Sequence, residues 1–180
     1  MKLMIASDLH GSAYYCKELV RAYREESPDK LLLLGDLLYH GPRNDLPRDY
    51  APKEVIEMLN TCFDDLICVR GNCEAEVDQM VLNFPVMADY AWLFVNGLSI
   101  LATHGHLYGE QNPPPLKANT ILLCGHTHVP AYRQHEGFTY VNPGSLSIPK
   151  ENSPHGYLLL DDNKLVWKTL DGEIYRTESL

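Results

Sequence analysis

Along this chain, short apolar runs first alternate with stretches of helical spacing and then follow one another with only turns between them. Residues 2–6 (KLMIA) read as a buried strand, after which Ala13, Cys16, Leu19, Val20 and Tyr23 recur at the spacing of one helix face, from Ser12 until Pro28. The pair of signals repeats. KLLLLG (30–35) is a strand, a loop with Pro and Arg follows, Pro52 opens a helix carrying Val55, Ile56, Leu59 and Phe63, and LICVRG (66–71) is the next strand. Strand–helix–strand repeats imply a mostly parallel sheet, because crossover helices bury both its faces. After Asn83 come WLFVN, LSILATHG, TILLCGH, TYVNPGS, GYLLLDD and KLVWKTL, with little helix between them. Gly97, Gly137 and Asp161 to Asn163 supply hairpin turns, and Gln111 to Pro115 a stiff extended loop. These signals predict two packed β-sheets flanked by helices in a single domain, residues 1–180, without repeats or linkers.

Composition narrows the function. Hydrophobic residues make up 45% and charged residues 22%, which is ordinary globular usage and excludes fibrous or disordered classes. The formal net charge is -9, and no Lys/Arg cluster interrupts the chain, so a groove for long nucleic acid is not expected. The apolar stretch before Asp8 is shorter than the roughly 7–15 residues of an export signal. Runs such as Leu31 to Leu34 and Ile121 to Cys124 fall far short of the roughly 18 residues of a membrane span. Five cysteines, odd in number and without a C-x-x-C pair, argue against a disulfide framework or a zinc ribbon. The expected compartment is the cytoplasm, away from membranes.

Five short segments place His, Asp or Asn beside a glycine or just past an apolar strand. They are Ser7-Asp8-Leu9-His10-Gly11, Gly35-Asp36, Gly71-Asn72-Cys73-Glu74, Thr103-His104-Gly105-His106 and Gly125-His126-Thr127-His128. Ligand sites in α/β sheets lie outside the carboxyl ends of the strands, where such loops meet, and glycines let side chains crowd around something small. Each segment has a plainer reading alone: Asp8 as a helix cap, Asp36 as a turn residue, Asn72 as a capping amide, His104 as a core histidine. Five such segments in one chain point instead to a metal site.

The order D-x-H, G-D, G-N, G-H and G-H-x-H, spanning residues 8–128, resembles the calcineurin-like metallophosphoesterase superfamily. The compact length, GDLLYHGPRN (35–44) and GNCE in place of GNHE are similar to its small bacterial and archaeal phosphodiesterase branch. That branch also contains a protein-binding relative, the eukaryotic retromer small subunit. The resemblance implies a four-layer α/β/β/α sandwich of two mixed sheets flanked by helices, with two divalent ions between the sheets. It implies one ion held by Asp8, His10, Asp36 and His128, and another by Asp36, Asn72, His104 and His126, with Asp36 bridging. A carboxylate can span two cations about 3.5–4 Å apart, and imidazole and amide donors complete the shells without cancelling the charge. That charge lowers the pKa of a bridging water and stabilises phosphorus-bound oxygens during in-line attack. Manganese is the metal the family suggests; iron, zinc, cobalt and nickel suit the same donors.

Cys73 departs from the family pattern, where histidine follows the motif asparagine and is thought to protonate the leaving group or bind phosphate. A thiol is a weak donor, mostly neutral at pH 7, so hydrolysis should favour substrates whose leaving group needs little protonation. A small packing residue and a low-pKa cysteine are both readings of Cys73. His106 and His40 are candidates for the missing proton, against surface histidines. Arg43 is the candidate phosphate clamp, against an exposed ion pair, and Arg70 is expected to pair locally. The expected activity is metal-dependent hydrolysis of small phosphodiesters, with phosphomonoester hydrolysis as an alternative. A protein-binding module is the other alternative. The complete ligand set and the lack of an evident exposed apolar helix oppose it, while Tyr14, Tyr15, Tyr39, Tyr50, Tyr90 and Tyr108 could supply a partner surface. Self-association into a homo-oligomer is also expected of small members of this fold.

Overall fold

The computed structural model describes the backbone of residues 1–180 and every side chain except that of Phe63. Strand β1 (Leu3–Ala6) leads into helix α1 (Ala13–Glu26), then β2 (Lys30–Leu33), α2 (Pro52–Leu59) and β3 (Leu66–Cys68). The three strands pair in parallel, as the strand–helix–strand pattern requires. Ser12 caps α1 by accepting the Tyr15 N–H at 3.3 Å, and Ser27, in the left-handed region, closes it before Pro28. Pro52 occupies the first turn of α2, where its missing N–H costs nothing. That helix ends at Leu59; the expected Phe63 contact lies outside the described side chains, and the backbone there forms a short 3-10 turn (Phe63–Asp65).

A third helix, α3 (Glu76–Val81), precedes β4 (Tyr90–Val95), β5 (Leu98–Thr103), β6 (Thr120–Leu123), β7 (Ala131–Gln134) and β8 (Phe138–Asn142). The chain then returns through β9 (Gly156–Asp161), β10 (Lys164–Thr169) and β11 (Ile174–Ser179). One sheet has six strands in the order β11-β10-β9-β1-β2-β3, and the other five, β4-β5-β6-β8-β7. Both are mixed, as expected. Alternation along each strand sends one set of side chains inward: Leu3, Ile5, Leu32 and Leu158 meet Ile100, Ile121 and Val141 between the sheets. Met4, Leu31 and Leu33 face the other way, onto Cys16, Leu19, Val55 and Leu59 of α1 and α2. On the outer face of the second sheet, Leu116 from the loop after β5 packs on Leu101 and Leu122. Trp167, fully buried, joins the sheets by donating its Nε1–H to the Asn142 carbonyl at 2.8 Å.

Three elements have no counterpart in the sequence reading. β7 and β11 are edge strands with half-exposed, polar residues, so they lack an apolar run. Helix α3 buries nothing and exposes Val77, Met80 and Val81. The expectation that no apolar helix face lies open is therefore wrong, because three apolar residues in so short a segment give no periodic signal.

The end of α1 is tied to both sides of the first sheet by Glu26, which accepts from Lys2 at 2.8 Å, from Tyr157 at 3.0 Å and from Lys168. Burial alone would raise this carboxyl, but Lys168, Lys2 and Tyr157 together hold it down at about 2, against an ordinary 4.5. Its contribution is thus complete above about pH 4.5 and lost as pH falls toward 2. Glu26→Gln should cost about 2 kcal/mol at neutral pH, as for hydrogen bonds to charged groups, and the gap between the two proteins in urea melts should close as the pH is lowered through that window. A constant gap would show that the network adds no charge-dependent stability.

Candidate metal centre

The five predicted segments do follow strand ends: Asp8 after β1, Asp36 after β2, Asn72 after β3, His104 after β5 and His126 after β6. The first three strands run parallel in one sheet and the last two in the other, so their carboxyl ends open into a common cleft. The loop after β1 is zipped to the loop after β2 by Asp8 N–H to Gly35 O (3.1 Å), His10 N–H to Asp36 O (2.8 Å) and Gly11 N–H to Leu37 O (2.8 Å). Asp8, His10, Asp36, His126 and His128 all have positive φ, between 51° and 67°. Left-handed backbone is unfavourable for side chains with a Cβ, and its concentration here marks a site the surrounding structure enforces.

These turns aim the side chains at two adjoining points. At one, Asp8 Oδ1 lies 3.2 Å from His128 Nε2 and 3.6 Å from His10 Nε2, with the two imidazole nitrogens 3.3 Å apart. At the other, His104 Nε2 lies 3.1 Å from Asn72 Oδ1, 3.2 Å from His126 Nδ1 and 3.4 Å from Asp36 Oδ2. Asp36 Oδ2 is also 3.8 Å from His10 Nε2, so this oxygen adjoins both groups. Asp36 Oδ1 is occupied by the Cys73 N–H at 2.8 Å, and Asp8 Oδ2 by the His126 N–H at 3.0 Å. Each carboxylate is thus anchored by one oxygen and presents the other.

The histidines are anchored alike. Nδ1 of His10, His104 and His128 donates to the carbonyls of Tyr39 (2.8 Å), Leu34 (2.6 Å) and Ile148 (2.6 Å). A carbonyl only accepts, so Nδ1 carries the proton and in the neutral ring Nε2 turns a lone pair into the cleft. Lone pairs facing one another, beside an Asp8 Oδ1 that is buried without a hydrogen-bond partner, are repulsive unless something positive lies between them. Spacings of 3.1–3.8 Å also suit donors sharing a cation at bonds of about 2.1 Å. The residues present fit divalent metal.

Electrostatics agree. Burial would raise the Asp8 carboxyl, but His10 and His128 hold it well below the ordinary range. Burial opposes a proton on His104, yet the Asp36 carboxylate beside it pushes that imidazole up to about 9. His126 is shifted down by burial and by His104. Protons and cations therefore compete for one strongly negative pocket.

Supporting residues escaped the sequence reading. Glu74 accepts from the N–H groups of Asp36 (2.9 Å), Leu37 (2.7 Å) and Gly71, pinning the Asp36 turn to the Asn72 loop. Its carboxyl is shifted up by burial and by Asp36. Gly71 packs so closely that a Cβ would strike Asp36 Oδ1, and a Cβ on Gly125 would strike Ser7 Oγ. Asn142, fully buried, donates to the Gly125 carbonyl at 2.7 Å and to Thr127 Oγ1 at 3.1 Å, holding the His126–His128 turn. Ser145 and Ser147 hydroxyls donate to the Asp8 carbonyl at 2.8 and 3.0 Å. The cluster Asn-Pro-Gly-Ser directly after an apolar run was the available signal for this second support.

Of the other candidates, Cys73 and Arg43 line a cavity of about 480 Å³ over the cluster, together with Asn44, Thr127 and Lys150. The Cys73 thiol is pushed up by burial and by Asp36. His106 does not line that cavity; its ring lies 5.4 Å from that of His104, and its Nδ1 is buried without a partner. His40 turns toward Tyr39 and Tyr50, with ring centroids at 4.8 and 5.2 Å. Arg70 pairs with Asp89 at 3.2 Å, as expected.

The chain belongs to the calcineurin-like phosphoesterase superfamily, whose domain profile matches residues 1–164, and is by family a hydrolase of phosphate esters. It is 45% identical to Phosphodiesterase YfcE of Escherichia coli (strain K12) over 165 residues, 92% of this chain and 90% of the relative. The solved structure of YfcE, a phosphoesterase from E. coli, superposes with a TM-score of 0.96 at 43% identity, covering 99% of both chains. Vacuolar Protein Sorting 29 from Cryptosporidium parvum shares the fold, with a TM-score of 0.61 at 20% identity over 99% of this chain and 98% of that one.

Glu74→Gln replaces an acceptor by an amide and puts donors against donors, so it should lower manganese affinity about 10–100-fold, the usual loss on removing an outer support. Isothermal titration of the folded variant checks this, and an unchanged affinity would show that the Glu74 contacts do not position Asp36.

Proposed function

We propose that this protein is a phosphodiesterase that uses two divalent ions, manganese first among the candidates. Asp8, His10, Asp36 and His128 would hold one ion, and Asp36, Asn72, His104 and His126 the other. The observation that carries the reading is Asp36 Oδ2, within 3.8 Å of a donor nitrogen in each group, where a bridging ligand belongs. When bound, divalent cations supply Lewis acidity that makes water nucleophilic near neutral pH. The chain's own residues orient and hold. The carbonyl-anchored imidazoles keep their lone pairs in place without rearrangement, and Arg43 at the cavity wall can fork onto two phosphate oxygens. His106 remains a candidate for the missing proton, although it lies outside the cavity with its ring 5.4 Å from that of His104.

A diester is favoured over a monoester because Cys73 adds no positive charge to meet a dianion, and the 45% identical relative is named a phosphodiesterase. The absence of any Lys/Arg run across 180 residues fits a small substrate better than long nucleic acid. No helix of the described residues is long and apolar enough to cross a membrane. The reading places one domain over residues 1–180 in the cytoplasm, as a monomer or homo-oligomer. A protein-binding role has two observations in its favour, the exposed stripe of Tyr90, Trp92 and Phe94 on the edge strand β4 and the open apolar face of α3.

The test is hydrolysis of bis(4-nitrophenyl) phosphate beside 4-nitrophenyl phosphate by metal-stripped protein with manganese restored. Diester cleavage should require metal and fall more than about a hundredfold in Asp36→Ala, beyond the loss of an outer support. Faster monoester cleavage would overturn the substrate class, and tight metal binding without any cleavage would favour the binding role. Because His104 keeps a proton up to about pH 9 in the metal-free protein, manganese affinity should rise about tenfold per unit of pH below about 9 and level off above it. A flat profile would remove His104 from the ligand set.

A further inference from the structure

Two cavities adjoin the cluster, divided by His126 and Thr127, which line both. Their charges differ. The first, about 480 Å³, has three charged residues in its lining, Asp36, Arg43 and Lys150, and Asp36 is engaged by the cluster. The second, about 390 Å³, carries Glu110, Glu151 and Arg133, with Arg133 already paired to Glu110 at 2.6 Å. Lys150 and Glu151 are neighbours in sequence, yet one lines each cavity. Neither Arg43 nor Lys150 makes an ion pair among the described residues, in a chain of net charge -9 where carboxylates are plentiful.

Lys150 is nonetheless fixed at its root. Its N–H donates to the His128 carbonyl at 3.1 Å, and its own carbonyl accepts from the Ser153 N–H (3.0 Å) and hydroxyl (2.6 Å). The backbone of Lys150 is thus tied to a residue of the cluster, and its exposed side chain lines the cavity. One arginine is enough to clamp the phosphoryl oxygens of a monoanionic diester whose charge the cations already meet. A second unpaired cation on the same wall leaves positive potential for something else.

We propose that the substrate is an asymmetric phosphodiester with a further anionic group, a carboxylate or a phosphate, on one ester arm, and that Lys150 selects it. That arm lies in the Arg43–Lys150 cavity, because Arg133 is paired to Glu110 in the other and leaves Glu151 as its uncompensated charge. The proposal rests on the phosphodiesterase reading and names its substrate class. Lys150 determines specificity and takes no part in bond breaking.

Two matched substrates test it, 4-nitrophenyl 3-carboxypropyl phosphate and 4-nitrophenyl butyl phosphate, with the manganese-loaded protein. The carboxylate substrate should show about tenfold higher kcat/KM, carried mainly by KM. The ratio should fall toward one in Lys150→Met, persist in Lys150→Arg and shrink as salt is raised. Binding of 3-carboxypropyl methylphosphonate and of butyl methylphosphonate, by isothermal titration, should differ in the same way without turnover. If both diesters are cleaved at a ratio of one or less, or Lys150→Met keeps the full preference, the proposal is overturned and the phosphodiesterase reading stands. If neither diester is cleaved by metal-loaded protein, that reading falls and takes the proposal with it.

Discussion

The cleft is organised around a repulsion. Two carboxylates and four imidazoles, with ring nitrogens 3.2 and 3.3 Å apart, would not gather in a buried pocket unless the rest of the chain held them there. The holding is done by backbone. Five of the seven proposed ligands sit in left-handed turns, a conformation that costs roughly 1–2 kcal/mol per residue. Hydrogen bonds between loops from different strands, and from Glu74, Ser145 and Ser147, set that cost against a fold whose two cores leave the strand ends little freedom to relax. Parallel strands make this economical, since one end of each sheet delivers every loop to the same place.

The same logic explains what was legible in the sequence. Apolar runs and helical spacing are direct records of burial, so the strands of both sheet interiors and the helices α1 and α2 could be read, and so could the strand-end position of Asp8, Asp36, Asn72, His104 and His126. Edge strands β7 and β11 and the exposed α3 left no such record, because little of them is buried. The resemblance carried by the motif order supplied the assignment of residues to two ions, which spacing alone could not give. Long-range pairings were silent: nothing in the sequence tells that Leu34 O receives His104 Nδ1–H, or that Ile148 O receives that of His128. Those contacts join residues 70 and 20 positions apart, and they decide which nitrogen of each ring is free to act.

Supporting residues illustrate a further limit. Asn142 looks like the end of a strand and Glu74 like a solvated carboxylate following Cys73, yet each satisfies several backbone groups of a ligand loop. A side chain that serves main-chain N–H and C=O groups has no partner residue type to pair with in the sequence, so only the folded geometry shows it. Lys150 is similar: its backbone bond to His128 makes it part of the site, although the segment Ile-Pro-Lys carries no motif.

Cys73 shows how a site can keep its frame while its chemistry drifts. The backbone N–H at this position holds Asp36 Oδ1 at 2.8 Å, a task indifferent to the side chain, so a residue with a different side chain can occupy it without disturbing the Asp36 carboxylate. The side chain itself stands in a negative corner, with burial, Asp36, Glu74 and Asp8 all raising its pKa. Raised in this way, a thiol is a weaker acid and gives less thiolate than a free cysteine. What remains for catalysis is positioning and positive charge, which stabilise charge on the phosphoryl oxygens but do little for a basic leaving group. On the proposed reading the arrangement would select on two sides: for a leaving group that departs without much help, and for a remaining arm that suits the cations lining the cavity.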